Sequence, residues 1–493
     1  MGEHPIPSQR RPTGIPGLDR ILEGGLPVAG VYIVQGPPGA GKTILANQIC
    51  FHHASAGGKA LYVTLLAESQ SRMFTHLRRM AFFDEAAIPD RVYYIGGYST
   101  LASGGLDALV ALIRGAIQKH KATLLVVDGL VSAQESAPTD REFKKFLHEV
   151  QTLTELVACT VILLANAERA SGFFPEHTMV DGVLHLTDEL SELRPLRHIR
   201  ILKLRGSAPV RGLHSLRITD SGVEVRPRIE TLFPEGAIAE NRVAEGAKLA
   251  FGLKELDEML RGGVRTGSIT MLLGSSGSGK TILGTQFLSE GVKRGQPGVY
   301  FGFYERPEAI LAKCQRVGLG GLKEGIDRGL AEIVWHPPVE GVIDEVGENL
   351  FKTVHKVGAQ RLFIDGMEGF DRAADFPERI SHVYSAIAQE LERLGVTTLY
   401  TTETRELFGK NLEVPINGLS AATQNIIIMR HIEYRASMLR VMGILKVRDD
   451  DYDGRMREIQ ITDQGIRLLD TFADESHVAS GGGAASDARA KVT

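Results

Sequence analysis

Short apolar runs alternate with longer amphipathic segments along most of the chain. The runs are rich in β-branched and aromatic residues, which is typical of buried strands, whereas the amphipathic segments are typical of helices. Strands and helices that alternate at these lengths indicate βαβ units and a parallel sheet. In the first half the predicted strands are 31–34, 60–65, 123–128, 160–164, 199–205 and 213–219, and the predicted helices are 72–80, 107–119 and about 138–157.

The second half of the chain repeats the order of the first. Landmark residues keep nearly one offset, which is 238 for Lys42 and Lys280, 237 for Asp128 and Asp365, and 243 for Lys203 and Lys446. Such an offset indicates tandem duplication of a whole domain. The predicted fold class is α/β, with two tandem domains that each hold a mainly parallel twisted sheet, helices on both faces and antiparallel strands late in the domain.

Composition changes mark the predicted domain boundaries. The first ten residues are polar and rich in proline, and the tail 471–493 is rich in Gly, Ala and Ser, so both are predicted to be disordered. A polar stretch marked by Pro and Gly predicts a linker at 233–246. The predicted domains are therefore 11–232 and 247–470.

The overall composition is that of a globular protein, with 43% apolar and 24% charged residues. A net charge of −4 and no basic block argue against tight non-specific binding of nucleic acid. The three cysteines are isolated, as expected in a reducing compartment. The polar N-terminus is unlike a signal peptide, and no apolar run approaches the roughly 18 residues of a membrane span. We expect a cytoplasmic protein without a membrane partner.

Two stretches match the phosphate-binding pattern G-x-x-x-x-G-K-[ST], and each follows a predicted strand and opens a predicted helix. Their glycines let backbone N–H groups converge on phosphate oxygens. The lysine of each loop is expected to reach the β- and γ-phosphates, and the threonine to hold Mg²⁺. The residues are Gly36, Gly39, Gly41, Lys42 and Thr43 in the first loop, and Gly274, Gly277, Gly279, Lys280 and Thr281 in the second.

Asp128 and Asp365 each end an apolar strand downstream of a loop. In a parallel sheet such an aspartate lies beside the loop and holds the hydration shell of Mg²⁺. By itself an aspartate after an apolar run is usually a strand-to-loop cap. Its recurrence at the same distance in both halves favours the metal-binding interpretation.

A pair of cations separated by one residue also recurs, as Lys203 with Arg205 and as Lys446 with Arg448. Residues two apart on a strand share a face, so both cations of a pair point the same way. A solvated sheet edge would give this alternation too. The duplication favours a cation pair that reaches the γ-phosphate in a neighbouring subunit, as an arginine finger does.

The assembled pattern resembles the KaiC family of RecA-like ATPases over about residues 11–470. The resemblance rests on 14–27, the loop 36–43, Asp128 and the segment Ile201–Gly206, with the same order in the second half and with Thr401-Thr402-Glu403 and Ile461-Thr462-Asp463. It implies RecA-like domains in a homohexamer of two rings, with ATP and Mg²⁺ at subunit interfaces. The Lys-x-Arg pairs would then act in trans, and regulators of the KaiB type would be partners.

This chain departs from the family pattern in two places. Family members carry an adjacent Glu-Glu pair after the second strand, whereas the matching positions read Ala67-Glu68 and Tyr304-Glu305. A general base must lie within hydrogen-bond reach of the nucleophile, so Glu68 and Glu305 are the candidates. Glu305 also precedes Pro307, where a carboxylate would stabilise a helix start in any case. We expect slow hydrolysis in both rings.

The second departure concerns autophosphorylation. KaiC phosphorylates an adjacent Ser-Thr pair, and the matching region 418–425 carries only Ser420 and Thr423, separated by two alanines. Either hydroxyl could accept phosphate, although both residue types also occur as turn or cap residues. The tail after 470 does not match the segment through which clock KaiC meets its activator, so a clock role is not expected.

Three functions follow as hypotheses. The first is a hexameric tandem ATPase that also phosphorylates itself as a serine/threonine kinase. The second is a DNA-handling recombinase or helicase relative, which requires a basic loop; the candidate region 132–136 is not basic, and 371–378 is acidic on balance. The third is a signalling scaffold that binds ATP mainly to assemble, suggested by Ala67 and Tyr304 in place of carboxylates.

Overall fold

The structure is a computed structural model, and it describes residues 9–66, 70–166, 175–191, 194–233, 246–337, 341–404, 423–435 and 437–470. By the contacts between its residues the chain divides into two compact units, 1–231 and 232–493.

One large sheet organises the described part of the first unit. The strands are β1 (Arg10–Arg11), β2 (Leu26–Pro27), β3 (Val31–Gly36), β4 (Ala60–Thr64), β5 (Val92–Gly96), β6 (Leu124–Asp128), β7 (Thr160–Asn166), β8 (Gly182–Ser191), β9 (Arg194–Leu204), β10 (His214–Thr219) and β11 (Gly222–Arg226). The order in the sheet is β11-β10-β9-β8-β3-β7-β6-β4-β5, and β1 pairs only with β2. Strands from β8 to β5 in this order are parallel, and β9, β10 and β11 add antiparallel pairs.

Helices cover both faces of this sheet. They are α1 (Pro16–Ile21), α2 (Lys42–Ser55), α3 (Gln70–Leu77), α4 (Tyr98–His120), α5 (Leu130–Glu135) and α6 (Asp140–Val157), with 3-10 turns at Glu85–Ala87, Pro175–Thr178 and Ile229–Thr231. Successive residues of β3 point to opposite faces. Tyr32 therefore packs with residues of α2 such as Leu45, while Ile33 packs with residues of α4 and α6.

The second unit has the same strand order, read from the other edge. Its strands are β12 (Lys248–Leu249), β13 (Val264–Arg265), β14 (Ile269–Gly274), β15 (Gly298–Gly302), β16 (Ala331–Trp335), β17 (Arg361–Asp365), β18 (Thr397–Glu403), β19 (Asn425–Tyr434), β20 (Ser437–Val447), β21 (Arg457–Thr462) and β22 (Gly465–Leu469). Among the described residues the large sheet runs β16-β15-β17-β18-β14-β19-β20-β21-β22. The helices are α7 (Lys254–Met259), α8 (Lys280–Lys293), α9 (Pro307–Arg316), α10 (Gly321–Asp327), α11 (Ile343–Val357), α12 (Glu368–Ala373) and α13 (Ile380–Arg393), with a 3-10 turn at Pro377–Arg379.

The predicted fold class is confirmed in both units, including the antiparallel strands late in each domain. Two helices differ from their predicted bounds: α3 ends at Leu77 rather than at Met80, and α4 begins at Tyr98 rather than at Asp107. Gly105 adopts φ 67° and ψ −163° inside α4, so the helix is kinked there. This kink interrupts the periodic pattern, and the sequence therefore indicates only the part that follows it.

Helix α4 bears on the expectation that the chain has no membrane span. It is the one helix in the described part of the chain that is long and apolar enough to cross a membrane by length and composition. A single helix of this kind is weak evidence, since core helices pass the same test. Leu109, Val110 and Ile113 of α4 belong to the core cluster on one face of the sheet.

Candidate nucleotide-binding sites

The first phosphate-binding loop joins β3 to α2 at the carboxyl edge of the parallel strands. Gly39 and Gly41 have φ of +84° and +99°, which only glycine adopts readily. A Cβ on Gly36 would lie 2.5 Å from the carbonyl oxygen of Leu186, so a side chain does not fit there. Lys42 Nζ donates to the carbonyl oxygens of Gly36 and Pro37 at 2.8 and 2.9 Å. The loop is therefore already curled around its lysine.

The second loop joins β14 to α8 in the same way. Lys280 Nζ donates to the carbonyl oxygens of Gly274 and Ser275 at 2.7 and 2.8 Å. Gly277 and Gly279 again have positive φ, at +76° and +102°. Burial lowers the pKa of Lys280, and the carboxylates of Glu403, Asp365 and Glu368 oppose that shift. Both loops thus present a desolvated cation to an incoming anion.

The predicted metal ligands meet in both units. Thr43 Oγ1 donates to Asp128 Oδ2 at 3.2 Å, and Thr281 Oγ1 donates to Asp365 Oδ2 at 2.9 Å. A hydroxyl and a carboxylate are hard oxygen ligands that suit Mg²⁺, which takes one or two protein groups and completes its shell with water and phosphate. Within the described ranges no cluster of three or more His, Cys, Asp or Glu side chains could hold an ion. The ligand set therefore fits a magnesium ion that arrives with a nucleotide.

A buried tyrosine beside each aspartate was not predicted from the sequence. The hydroxyls of Tyr62 and Tyr300 donate to Oδ2 of Asp128 and Asp365, each at 2.6 Å. Burial, followed by the charge of the aspartate, raises the pKa of both phenols. The available signal was the repeat itself, because the two tyrosines are 238 residues apart (300 − 62), as are the loop lysines.

The two candidate general bases have different outcomes. Glu68 lies outside the described residues. Glu305 Oε1 lies 2.5 Å from Lys313 Nζ, and α9 begins two residues later at Pro307. The charge of Glu305 contributes to the raised pKa of Tyr300, whose hydroxyl donates to Asp365. The assignment of Glu305 as a base remains a prediction.

Tyr304 occupies the position of the missing carboxylate. Its ring packs over Gly366, where a Cβ would lie 2.3 Å from Cε2 of the tyrosine. The guanidinium of Arg372 lies 5.6 Å from the centre of the same ring. An aromatic side chain, half-exposed, thus covers the turn that follows Asp365.

Lys203 and Arg205 point the same way, as predicted for residues two apart on a strand. Lys203 Nζ donates to the carbonyl oxygen of His177 at 2.7 Å, and both cations donate to that of Thr178, at 3.2 and 2.8 Å. Lys203 pairs with Val183, which pairs with Ile33 of β3. Ile33 precedes Gly36 by three residues, a distance of about 10 Å along a strand. The cations therefore lie toward the opposite end of the sheet from their own loop.

The second pair repeats this placement. Lys446 Nζ donates to the carbonyl oxygen of Thr423 at 2.8 Å. Lys446 pairs with Ile426, which pairs with Met271, three residues before Gly274. In both units a register shift of the hairpin falls immediately beside the lysine, between residues 183 and 184 and between 426 and 427. Arg448 is exposed beyond the strand end.

The two phosphoacceptor candidates also differ. Thr423 is fully buried, and its hydroxyl shares a hydrogen bond of 2.8 Å with the hydroxyl of Tyr400. Ser420 lies outside the described residues.

Among the described residues, three polar contacts at the second site have no counterpart at the first. Thr401 Oγ1 donates to Asp365 Oδ1 at 3.0 Å, and Glu403 Oε1 lies 3.9 Å from Lys280 Nζ. Glu368 Oε1 accepts the backbone N–H of Glu403 at 2.7 Å. These contacts depend on sheet register, so the sequence alone did not indicate them.

Comparison with known proteins agrees with this geometry. The family model described as "ATPase: KaiC" matches residues 11–230 and 249–472. The chain is 26% identical to the circadian clock oscillator protein KaiC of Rippkaea orientalis over 486 residues, 95% of this chain and 90% of that protein. It is also 26% identical over 490 residues to the corresponding protein of Picosynechococcus sp. (96% and 92% covered) and to KaiC 1 of Synechocystis sp. (96% and 91% covered). The chain belongs to the KaiC family of ATPases.

Proposed function

We propose that this chain binds ATP with Mg²⁺ at both loops and hydrolyses it. The single observation that carries the proposal is the Thr–Asp contact beside a curled phosphate loop, present in both units. Each loop would hold the phosphates through backbone N–H groups and its lysine, while the threonine and aspartate orient the ion. When bound, the ion supplies charge neutralisation on the β- and γ-phosphates.

Side chains around the γ-phosphate would accept the proton of the nucleophile and stabilise the charge of the transition state. Glu68 and Glu305 are proposed to take the proton from the attacking water or hydroxyl, since each is the remaining carboxylate at that position. Lys203 with Arg205 and Lys446 with Arg448 would stabilise the charge that develops in the transition state. One carboxylate per site where relatives have two supports slow turnover.

We further propose that the partner of each chain is another copy of itself. The Lys-x-Arg pairs lie about 10 Å along the strand from the level of their own loops, toward the far end of the sheet. A cation pair so placed can complete the loop of a neighbour if copies associate head to tail, and such interfaces close into rings. A homohexamer of two rings satisfies this requirement in both units.

Autophosphorylation is the second activity that we propose, with Ser420 as the acceptor. The buried hydroxyl of Thr423, hydrogen-bonded to Tyr400, would have to leave the core to reach a phosphate. The family resemblance supports regulators of the KaiB type as further partners and a cytoplasmic location. The net charge of −4 supports neither a nucleic-acid partner nor an anionic membrane surface as a target.

The decisive experiment measures nucleotide content and ADP release for Lys42→Ala, Lys280→Ala and the double variant. Each single variant is expected to bind half the nucleotide of the parent protein, and the double variant none. Native mass spectrometry of the same samples tests the hexamer. Loss of all nucleotide from a single change would contradict two independent sets of sites, and full binding without any ADP release would leave only the scaffold hypothesis.

A further inference from the structure

We propose that Glu403 makes the second site discriminate against the γ-phosphate. The ratio of ATP affinity to ADP affinity is therefore lower at the second site than at the first. The inference rests on the proposed function, because it assumes that both loops bind adenine nucleotides. It concerns a residue that neither the phosphate-loop pattern nor the Mg²⁺ ligands include.

The register of the two sheets places one residue of each unit beside the first glycine of the loop. Glu403, at the end of β18, pairs with Gly274, and Asn166, at the end of β7, pairs with Gly36. In each unit the two strands run parallel and therefore end at the same edge of their sheet. The two sites therefore carry a carboxylate and an amide at one equivalent position.

The carboxylate of Glu403 lies in the electrostatic field of the loop. Its Oε1 is 3.9 Å from Lys280 Nζ, the group expected to bridge the β- and γ-phosphates. The side chain is 60% exposed, so it is open to a ligand rather than packed in the core. An anion at this distance competes with the γ-phosphate for Lys280.

A second carboxylate fixes the position of the first. Glu368, at the start of α12, accepts the backbone N–H of Glu403, and its charge also acts on Lys280. Burial raises the pKa of Glu368, an effect that the hydrogen bond from Glu403 opposes. At the position equivalent to Glu368, three residues after the aspartate, the first unit has Val131. Among the described residues, the two extra carboxylates beside the loop lysine thus belong to the second site.

Electrostatics converts this difference into a preference. ATP carries one more negative charge than ADP, and that charge lies on the γ-phosphate next to Lys280. Repulsion from Glu403 therefore weakens the binding of ATP more than the binding of ADP. At the first site, by contrast, the amide of Asn166 can donate a hydrogen bond to the γ-phosphate. Because Glu403 is largely exposed, water and salt screen the repulsion, and we expect an effect of about tenfold.

The test uses the full chain with Lys42→Ala, so that nucleotide binding reports the second site alone. Dissociation constants for Mg²⁺-ADP and for a non-hydrolysable Mg²⁺-ATP analogue are measured with and without Glu403→Gln. The variant is expected to improve the ratio of ATP-analogue to ADP affinity about tenfold, and less at high salt. Glu332→Gln removes a partly exposed carboxylate on the edge strand β16, where it pairs with Lys356 of α11, and it should leave the ratio unchanged.

The reciprocal variant keeps the inference testable if Glu403→Gln alters folding. In the full chain that carries Lys280→Ala, binding reports the first site. There Asn166→Asp places a carboxylate at that site and should lower the ratio of ATP-analogue to ADP affinity. An unchanged ratio with intact ADP binding would overturn the role of Glu403, as would a fall in turnover with no change in the ratio. Absence of binding by both nucleotides would instead show that the proposed function itself is wrong for that site.

Discussion

The hydroxyl of Tyr300 lies 2.6 Å from Oδ2 of Asp365, the same oxygen that accepts the hydroxyl of Thr281. Tyr62 makes the equivalent bond to Asp128 in the first unit. Two donors on one carboxylate oxygen fix the aspartate in a single orientation. A residue that orients a metal ligand without touching the metal is a positioning residue, and such residues typically matter about tenfold or more.

Removal of this hydroxyl should therefore raise the Mg²⁺ requirement. The test is made in the Lys280→Ala variant, so that turnover reports the first site. There Tyr62→Phe is expected to increase the Mg²⁺ concentration for half-maximal ATP turnover by about tenfold, because Asp128 loses a donor that orients it. Turnover is measured as ADP release across a Mg²⁺ titration.

Tyr93→Phe provides the control for that variant. Tyr93 is a partly buried residue of β5, and its hydroxyl donates to the backbone oxygen of Asp90 in an exposed hydrogen bond. The Mg²⁺ titration of this control should match the parent protein. An unchanged titration for Tyr62→Phe would show that the hydrogen bond to Asp128 has no positioning role.

The Lys-x-Arg pair should work only on a neighbouring subunit. Arg205→Ala and Lys42→Ala, each combined with Lys280→Ala, should both abolish turnover at the first site. Co-assembly of the two variants in equal amounts should restore about a quarter of the activity of the Lys280→Ala single variant, since a loop from one can then meet the cation from the other. ADP release from tag-purified mixed assemblies measures the recovery. A mixture as inactive as its components would rule out action in trans.

Sequence reasoning reached the parts of each site that lie in one local stretch. The loops, with Lys42 and Lys280, are set by a strand–loop–helix pattern that is complete in the sequence. The tyrosines could not be assigned, because a tyrosine in an apolar strand is indistinguishable from a core residue until the register with the next strand is known. The same limit applies to Glu403, whose neighbour Gly274 belongs to a strand far away in the chain.

The location of the cation pairs could likewise not be predicted without the register of the paired strands. Alternation along β9 correctly predicted that Lys203 and Arg205 share a side, which is a local property. Their distance from the loop depends on the antiparallel return of β9 along β8, which apolar patterns do not specify. The start of α4 was missed for a different reason, since the backbone of Gly105 departs from helical geometry and breaks the periodic signal.

Phosphorylation, if it occurs after incubation with ATP, should be found on Ser420. Thr423→Ala is expected to retain the phosphate, while Ser420→Ala should lose it. Thr423→Ala should also lower the free energy of unfolding by about 1 kcal/mol, because the Tyr400 hydroxyl loses its buried partner. Intact-mass and phosphosite mass spectrometry give the site. Phosphate on Thr423 would contradict the argument from burial.

Acid should weaken the first unit through His53. The guanidinium of Arg11 lies 2.7 Å from Nδ1 of this histidine, and burial together with the charges of Arg11 and His52 lowers the pKa of His53 to about 4. The unfolded chain protonates near its ordinary value of about 6.5, so between these two values the unfolded state binds more protons. Stability is therefore unaffected above about pH 6.5 and falls as the pH drops toward 4, by at most about 1.4 kcal/mol per pH unit for one proton.

Urea unfolding at pH 7, 6 and 5 tests this dependence on the full chain. The single tryptophan, Trp335, lies in the second unit, so its fluorescence follows that unit while circular dichroism follows both. His53→Gln should flatten the pH dependence of the transition that Trp335 does not report, because it removes the group that titrates. His148→Gln, at an exposed position on α6, should leave the parent slope intact. Equal slopes for His53→Gln and the parent protein would show that another group causes the acid sensitivity.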